Sequence, residues 1–398
     1  MHKNKIHFLF LFSSFLFILG LFLSKFLLSI GIIAVLFSSV FSVVVNGFPL
    51  HRPLVLIGNL VIFFIVLISG IYVENIEAQK GLLVVMSPFI ILPLSFYCID
   101  LKGMKYYYYI LYLTVLIGFC SSCYVFINYL FHFDAYQQDL SVSKAIPTPH
   151  KDHIRFSMML IVSIISAVEL LRKSFYLRSR HEKYVLWLLL ILQVIFLHVF
   201  AVRTGLLAFY LILFLGIVHL IRQHRKWALG LVLAALLLPV FAFYTLPSVR
   251  QKFYLMRYNY QQYMKGDLAQ LSDTQRILSY RVAFDLFQEQ IWTGVGMGDL
   301  YQEQEKKFRH LYPEANVMQP HNQFLSFLAG TGLFGFLLFC FAFIFPLFYR
   351  HSWKNIWLAS FYLLFIISLF TEDTFFVSLG LSIYLFYQLS FLKFNTIE

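Results

Sequence analysis

A chain of 398 residues that is 60% hydrophobic, 13% charged and rich in Phe (47 residues) is too apolar for a soluble domain, in which about 25% of residues are charged. The net charge of +12 does not mark a nucleic-acid binder, because most Lys and Arg fall in short connections between apolar runs, where positive charge sets membrane orientation. The bilayer admits only helices or closed barrels, and these runs lack the alternation of a barrel strand, so the fold class is an all-α polytopic membrane protein.

Apolar runs able to cross a hydrocarbon core of about 30 Å recur from end to end. In chain order they predict spans near 6–23, 26–45, 54–73, 81–99, 107–131 and 154–171, then 184–201, 205–221 and 227–246, and last 323–348, 356–370 and 375–392. The organisation is therefore spans one to six (1–183), spans seven to nine (184–246), a large loop (247–322) and spans ten to twelve (323–398). The first run lacks a small-residue cleavage site and leads straight into the second, so it reads as a span and not as a removable signal. Cys98, Cys120, Cys123 and Cys340 all fall inside apolar runs, and the C-x-x-C pair at 120 and 123 reads as packing within a helix.

Orientation follows from the cations. With a cytoplasmic N-terminus, 16 Lys and Arg (Arg52, Lys102, Arg178 and Arg222 among them) collect on that side, six lie in the short outer connections, and nine lie in the long loop. Long loops translocate largely regardless of charge, so the nine do not count, and both termini are expected in the cytoplasm. Two outer segments can hold structure. Residues 132–153, with Pro147 and Pro149, are expected to form an irregular lid. In 247–322, Ile277, Tyr280, Phe284, Phe287 and Ile291 fall on one helical stripe, which predicts an amphipathic helix lying on the membrane or on the bundle.

Several residues at the outer boundary can carry chemistry. Arg203 stands between two apolar runs with no other charge nearby, where a cation snorkels as an interfacial anchor or pairs with an anion. Arg281 lies on the amphipathic helix and can serve a ligand or pair locally with Asp285. His321 follows Pro320 where the long loop re-enters the bilayer; it is a candidate general base or a structural histidine. Gly294, Gly296 and Gly298 do not open a βαβ unit, yet closely spaced glycines let backbone amides approach a phosphate, or simply make a turn. Glu372 and Asp373, in the outer turn between the last two spans, can position a reacting group or cap a helix. No cluster has the spacing of a metal site. A channel is disfavoured because buried charges do not repeat along the spans, and a transporter, for which internal repeats and broken helices are expected, because the polar groups gather at one face.

This pattern resembles the bacterial O-antigen ligase and polymerase superfamily. The resemblance rests on twelve spans, a late outer loop, and Pro320-His321-Asn322-Gln323-Phe324-Leu325 followed by Gly330-Thr331-Gly332-Leu333-Phe334-Gly335; Arg281, Trp292 and the glycines at 294, 296 and 298 fit the same domain. It implies a GT-C-like, metal-independent, inverting glycosyltransferase in the bacterial inner membrane that needs no cofactor. Its donor would be an undecaprenyl diphosphate-linked glycan and its acceptor lipid A–core. Matched residue by residue, Arg203, Arg281 and His321 would be catalytic, with Arg203, Arg281 and Gly296 on the donor diphosphate and Asn322, Glu372 and Asp373 auxiliary. Val202 departs from the Ser common before the first arginine. A polymerase or a protein O-oligosaccharyltransferase of the same superfamily would share the donor, and a lipid-linked glycan transporter is the alternative without chemistry.

Overall fold

A computed structural model describes residues 2–49, 54–101, 103–141, 144–173, 180–221, 223–265, 272–313 and 316–394. Arg52, Lys102, Arg178 and Arg222 lie outside these residues. The described chain is helical, with no strand among the described residues.

The first half runs α1 (His2–Leu23), α2 (Lys25–Asn46), α3 (Leu54–Ser69), α4 (Ile76–Met86), α5 (Pro88–Cys98), α6 (Met104–Phe131), a short α7 (Phe133–Ser141) and α8 (His153–Lys173). The run read as 81–99 is thus two helices. Pro88 cannot donate to the ladder, which is interrupted at Ser87 although that residue keeps helical angles (φ −52°, ψ −30°). The segment expected to be an irregular lid holds α7.

The second half comprises α9 (Arg180–Phe200), α10 (Arg203–Ile221), α11 (Arg225–Thr245), α12 (Pro247–Met264), α13 (Ser272–Glu289), α14 (Leu300–Leu311), α15 (Gln323–Phe348), α16 (Ile356–Thr371) and α17 (Ser378–Phe394). Nine of the described helical segments are long and apolar enough to cross a membrane. With the shorter α3 and α16 and the buried α17 they occupy the predicted span positions, so the chain is an all-α polytopic membrane protein. The long loop holds three helices where one was predicted.

α17 sits at the centre, with Leu379 to Phe391 buried throughout, as expected of a helix apolar on every side. Its one amide is used as a clasp. Gln388 Oε1 accepts from Asn59 Nδ2 (2.9 Å), while its Nε2 donates to the hydroxyls of Tyr362 (2.6 Å) and Tyr384 (2.9 Å). That joins α3, α16 and α17 where water cannot compete.

Polar contacts sort the connections into two ends. At one end Asn46 donates to Asp100, linking the α2 and α5 termini. At the other, His150 contacts the Gly20 carbonyl, Arg155 meets Glu372, and Tyr72 donates to the Thr293 carbonyl. The α1–α2, α3–α4, α6–α8, α9–α10, α11–α15 and α16–α17 connections therefore share one end, in the alternation expected from the cation count.

α13 packs by a different face from the one its pattern suggested. Leu278, Val282, Ala283 and Leu286 are buried, against α14 and α15, whereas Ile277 and Phe284 are exposed and Ile291 lies past the helix end. The helix is apolar on two sides, and the side with the smaller residues allows the closer approach.

Candidate active site

α15 starts at the loop-bearing end, and its first turn is built to hold two connections together. Asn322 is its N-cap, with Oδ1 accepting from the amides of Phe324 (3.1 Å) and Leu325 (3.2 Å), a standard way to satisfy orphan donors at a helix start. Gln323 Oε1 accepts from the Phe375 amide (2.7 Å), and Ser326 Oγ donates to Asp373 Oδ1 (2.5 Å). These two bonds fasten the α16–α17 turn against α15. Asn322, expected as an auxiliary group, is a cap.

His321 precedes that cap in left-handed backbone (φ 45°), a conformation that costs an ordinary residue about 1–2 kcal/mol. Loop contacts hold it there. Gln304 Nε2 donates to the Met318 carbonyl (2.9 Å), the Tyr280 hydroxyl lies 3.4 Å from the carbonyls of both His321 and Phe370, and the Ser279 hydroxyl, which donates to the Arg276 carbonyl (2.8 Å), lies 3.4 Å from the Pro320 carbonyl. α13 and α14 thus set the approach of His321 to the bundle.

The ring meets Glu372, with His321 Nδ1 3.2 Å from Oε2. The same carboxylate receives Arg155 Nη1 at 3.4 Å and Arg276 Nη2 at 2.8 Å. Glu372 and Arg155 are buried, at 5% and 6% exposure, while the His321 side chain keeps 29%. Arg155 also lies 3.6 Å from Asp152, and its Nε has no hydrogen-bond partner among the described residues. Burial pushes the Glu372 carboxyl up, but the His321 hydrogen bond and the Arg155 and Arg276 charges outweigh it and hold the group below its usual value. Burial of the neighbouring Asp373 prevails over its Ser326 hydrogen bond and raises that carboxyl to about 6. Two adjacent acids thus have opposite protonation tendencies, one ionised and gripped by cations, the other disposed to keep a proton.

Arg155 and Arg276 were not singled out from the sequence. Arg155 carried a signal, a charge inside an apolar run three residues after Asp152. Arg276 lies four residues before Tyr280 and so on the same helical face. Arg281 is exposed, with no ion pair among the described residues, its Asp285 neighbour included. Arg203 opens α10, which packs on α8 and α16, so it reaches the end that carries Glu372.

The glycine-rich segment has other work. Its Val295 and Gly296 amides donate to the carbonyls of Ala329 and Gly330 (both 2.9 Å), and Leu333 N returns a bond to the Ile291 carbonyl (2.7 Å). α15 is broken at Gly332 (φ 65°), and a Cβ there would stand 2.3 Å from the Trp292 carbonyl oxygen. One added to Gly294 (φ 68°) would meet the Ala329 oxygen and Gly332 nitrogen at 2.5 Å. Two backbones cross where only glycine fits. The Gly296 amide expected at a phosphate donates to the Gly330 carbonyl, and a Cβ added there would run into Val73.

Beside this crossing, Asp299 accepts from the amides of Glu74 and Asn75 (both 2.7 Å) and so ties the α3–α4 turn to the loop. Among the described residues no three His, Cys, Asp or Glu side chains gather as a metal ion would need.

No curated protein matches the chain. Residues 188–340 match the family model Wzy_C, described as O-Antigen ligase, whose members are glycosyltransferase-like enzymes. The match runs from α9 into α15 and takes in Arg203, Arg276, Arg281, the glycine crossing and His321. Over those residues the resemblance read from the sequence is borne out: residues 188–340 are similar to the O-antigen ligase family, consistent with the ligase and polymerase superfamily.

Proposed function

We propose that the protein is an O-antigen ligase-type glycosyltransferase, moving a glycan from a polyprenyl diphosphate onto lipid A–core at the periplasmic face of the bacterial inner membrane. The observation that carries this reading is the His321–Glu372 pair at the loop-bearing end of the bundle. A carboxylate accepting the imidazole Nδ1–H fixes the tautomer and leaves Nε2 with a lone pair. That nitrogen takes the proton of the acceptor hydroxyl as its oxygen bonds to the anomeric carbon. The bond from that carbon to the diphosphate oxygen breaks, the electron pair leaves with the diphosphate, and attack from the opposite side inverts the centre.

The departing diphosphate gains charge, and guanidiniums bind phosphate oxygens bidentately, so arginines can supply the stabilisation a metal ion would otherwise give. Arg281, exposed on α13, and Arg203, at the start of α10, are assigned that task. Arg155 and Arg276 hold Glu372 and are positioning residues. Gly296 enters only through the backbone crossing.

The test is deletion followed by gel analysis of lipopolysaccharide, with complementation by His321→Ala and Arg281→Ala. Loss of polymer on lipid A with accumulation of lipid-linked polymer, and no rescue by either membrane-inserted variant, is the expected result. Core carrying a single repeat would make the protein a polymerase, and unchanged lipopolysaccharide with lost glycoproteins a protein-modifying enzyme. Full rescue by His321→Ala would remove the proposed base.

A further inference from the structure

α12 is an inside-out helix. Its protein-facing side carries Gln251, Leu255, Asn259 and Gln262, a mostly amide surface, and all four are buried or half-buried. The rest of the helix exposes Phe253, Tyr254, Met256, Tyr258, Tyr260 and Met264, each between 46% and 68%; at 100° per residue Phe253, Met256, Tyr260 and Met264 face away from the amide stripe, and Tyr254 and Tyr258 flank it. Arg250 and Arg257 are exposed on that same outward side, about one and three turns from the helix start. Six large apolar or aromatic side chains facing water would form a patch that soluble surfaces rarely carry, and a helix of this polarity would ordinarily turn over.

Its position removes the contradiction. Leu246 alone separates α12 from α11, a membrane-crossing segment of which only 11% is buried by protein. The junction is aromatic, with Phe243 of α11 5.3 Å from Phe253 and 6.3 Å from Tyr254. Ser248 Oγ donates to the Val199 carbonyl (2.7 Å), pinning the first turn of α12 to the end of α9, and the helix then runs against α7. α12 therefore leaves the hydrocarbon and stays against the loop-bearing end of the bundle, at the depth where Tyr and Trp belts and snorkelling arginines are found.

We propose that the outward face of α12 is a membrane-docking surface: its Phe, Met and Tyr side chains sit at the boundary between headgroups and acyl chains, and Arg250 and Arg257 lie among anionic headgroup phosphates. Its partner is the bilayer surface. Charge complementarity and continuity with lipid-facing α11 select it. The consequence is mechanical. The amide-lined inner side and α7 are held at a fixed height over the bundle by the bilayer itself. This inference rests on the membrane fold and not on the proposed reaction.

The experiment places a nitroxide at position 256 (Met256→Cys) in the full chain, with Cys98, Cys120, Cys123 and Cys340 replaced by Ala. The chain is reconstituted in phosphatidylcholine vesicles with or without phosphatidylglycerol. The reference label is at Glu305→Cys on α14, a half-exposed position paired with the exposed Arg309. Expected is an oxygen-to-nickel collision ratio several-fold higher at 256 than at 305, falling when phosphatidylglycerol is omitted or when Arg250→Glu and Arg257→Glu are introduced. Equal nickel access at both positions would overturn the proposal. A label at 256 shielded from both oxygen and nickel would also overturn it, because protein would then cover the face. A ratio indifferent to both lipid charge and arginine reversal would overturn the headgroup assignment.

Discussion

Glu372→Gln tests the chain of dependence from Glu372 through His321 to the acceptor. Once His321 has taken the acceptor's proton, opposite unit charges 3.2 Å apart attract by about 5 kcal/mol at an effective dielectric of about 20. Two guanidiniums already share the carboxylate and the ring is partly solvated, so the net coupling is a fraction of that. The ceiling is set differently. A group that acts only by orienting the base can remove no more than the base supplies, about 10²–10⁴-fold, or ~3–5 kcal/mol of barrier.

Glutamine keeps the shape and one acceptor oxygen but withdraws the charge opposite Arg155. Breaking a buried pair costs about 3–5 kcal/mol when nothing replaces it; here Asp152, 3.6 Å away, remains as a partial counter-ion and lowers that cost. The assay is transfer by purified protein from a lipid-linked glycan to its acceptor, with thermal melting alongside. Turnover of Glu372→Gln should fall toward that of His321→Ala, and the double variant should be no slower than His321→Ala alone. Multiplying losses in the double variant, or near-normal turnover in Glu372→Gln with an intact melt, would refute the dependence.

Gly332→Ala should lower the melting temperature and expose the glycine-rich segment to protease, since a Cβ 2.3 Å from the Trp292 oxygen forces the crossing apart, at a cost above the ~1–2 kcal/mol of left-handed backbone alone; an unchanged melt would remove the crossing from the fold's support. Asp373→Asn should stabilise the protein at pH 8. A carboxyl whose folded value lies above its unfolded one binds its proton more tightly when folded, so Asp373 costs stability above about pH 6 and the cost fades as pH falls toward 3.8. A rise from 3.8 to about 6 sets an upper limit of about 3 kcal/mol, and melts from pH 8 to 5 should show the Asn advantage shrinking. Glu372, held low, behaves oppositely, and its support is lost only as pH drops through its depressed value. Arg276→Gln removes the more solvated of the two guanidinium partners, 30% exposed; it should reduce turnover less than Glu372→Gln and barely move the melt.

The spans were legible because lipid leaves the chain little choice. A run of apolar residues long enough to cross must be a helix, and its position is set by composition alone. The break at Pro88 and the clasp at Gln388 needed coordinates, since each depends on what a neighbouring helix offers. Within the site, His321, Glu372 and Asp373 could be picked out as polar groups at a membrane boundary. Their pairing could not, for Glu372 meets Arg155 across 217 residues and Arg276 across 96. α13 was misread by one face because Ile277-Tyr280-Phe284 and Leu278-Val282-Leu286 are both apolar stripes, and only packing partners choose between them. The glycines show where sequence reasoning stops. Close spacing announces that something approaches the backbone, and a phosphate oxygen and a peptide oxygen are equally good acceptors for the exposed amides. What decides is a second glycine group, Gly330 and Gly332, placed by the fold so that its carbonyls and broken helix turn meet the first. Two glycine-rich stretches in one loop-and-span unit, each without a cofactor-type strand or helix context, are therefore better read as partners for each other than as separate ligand cradles.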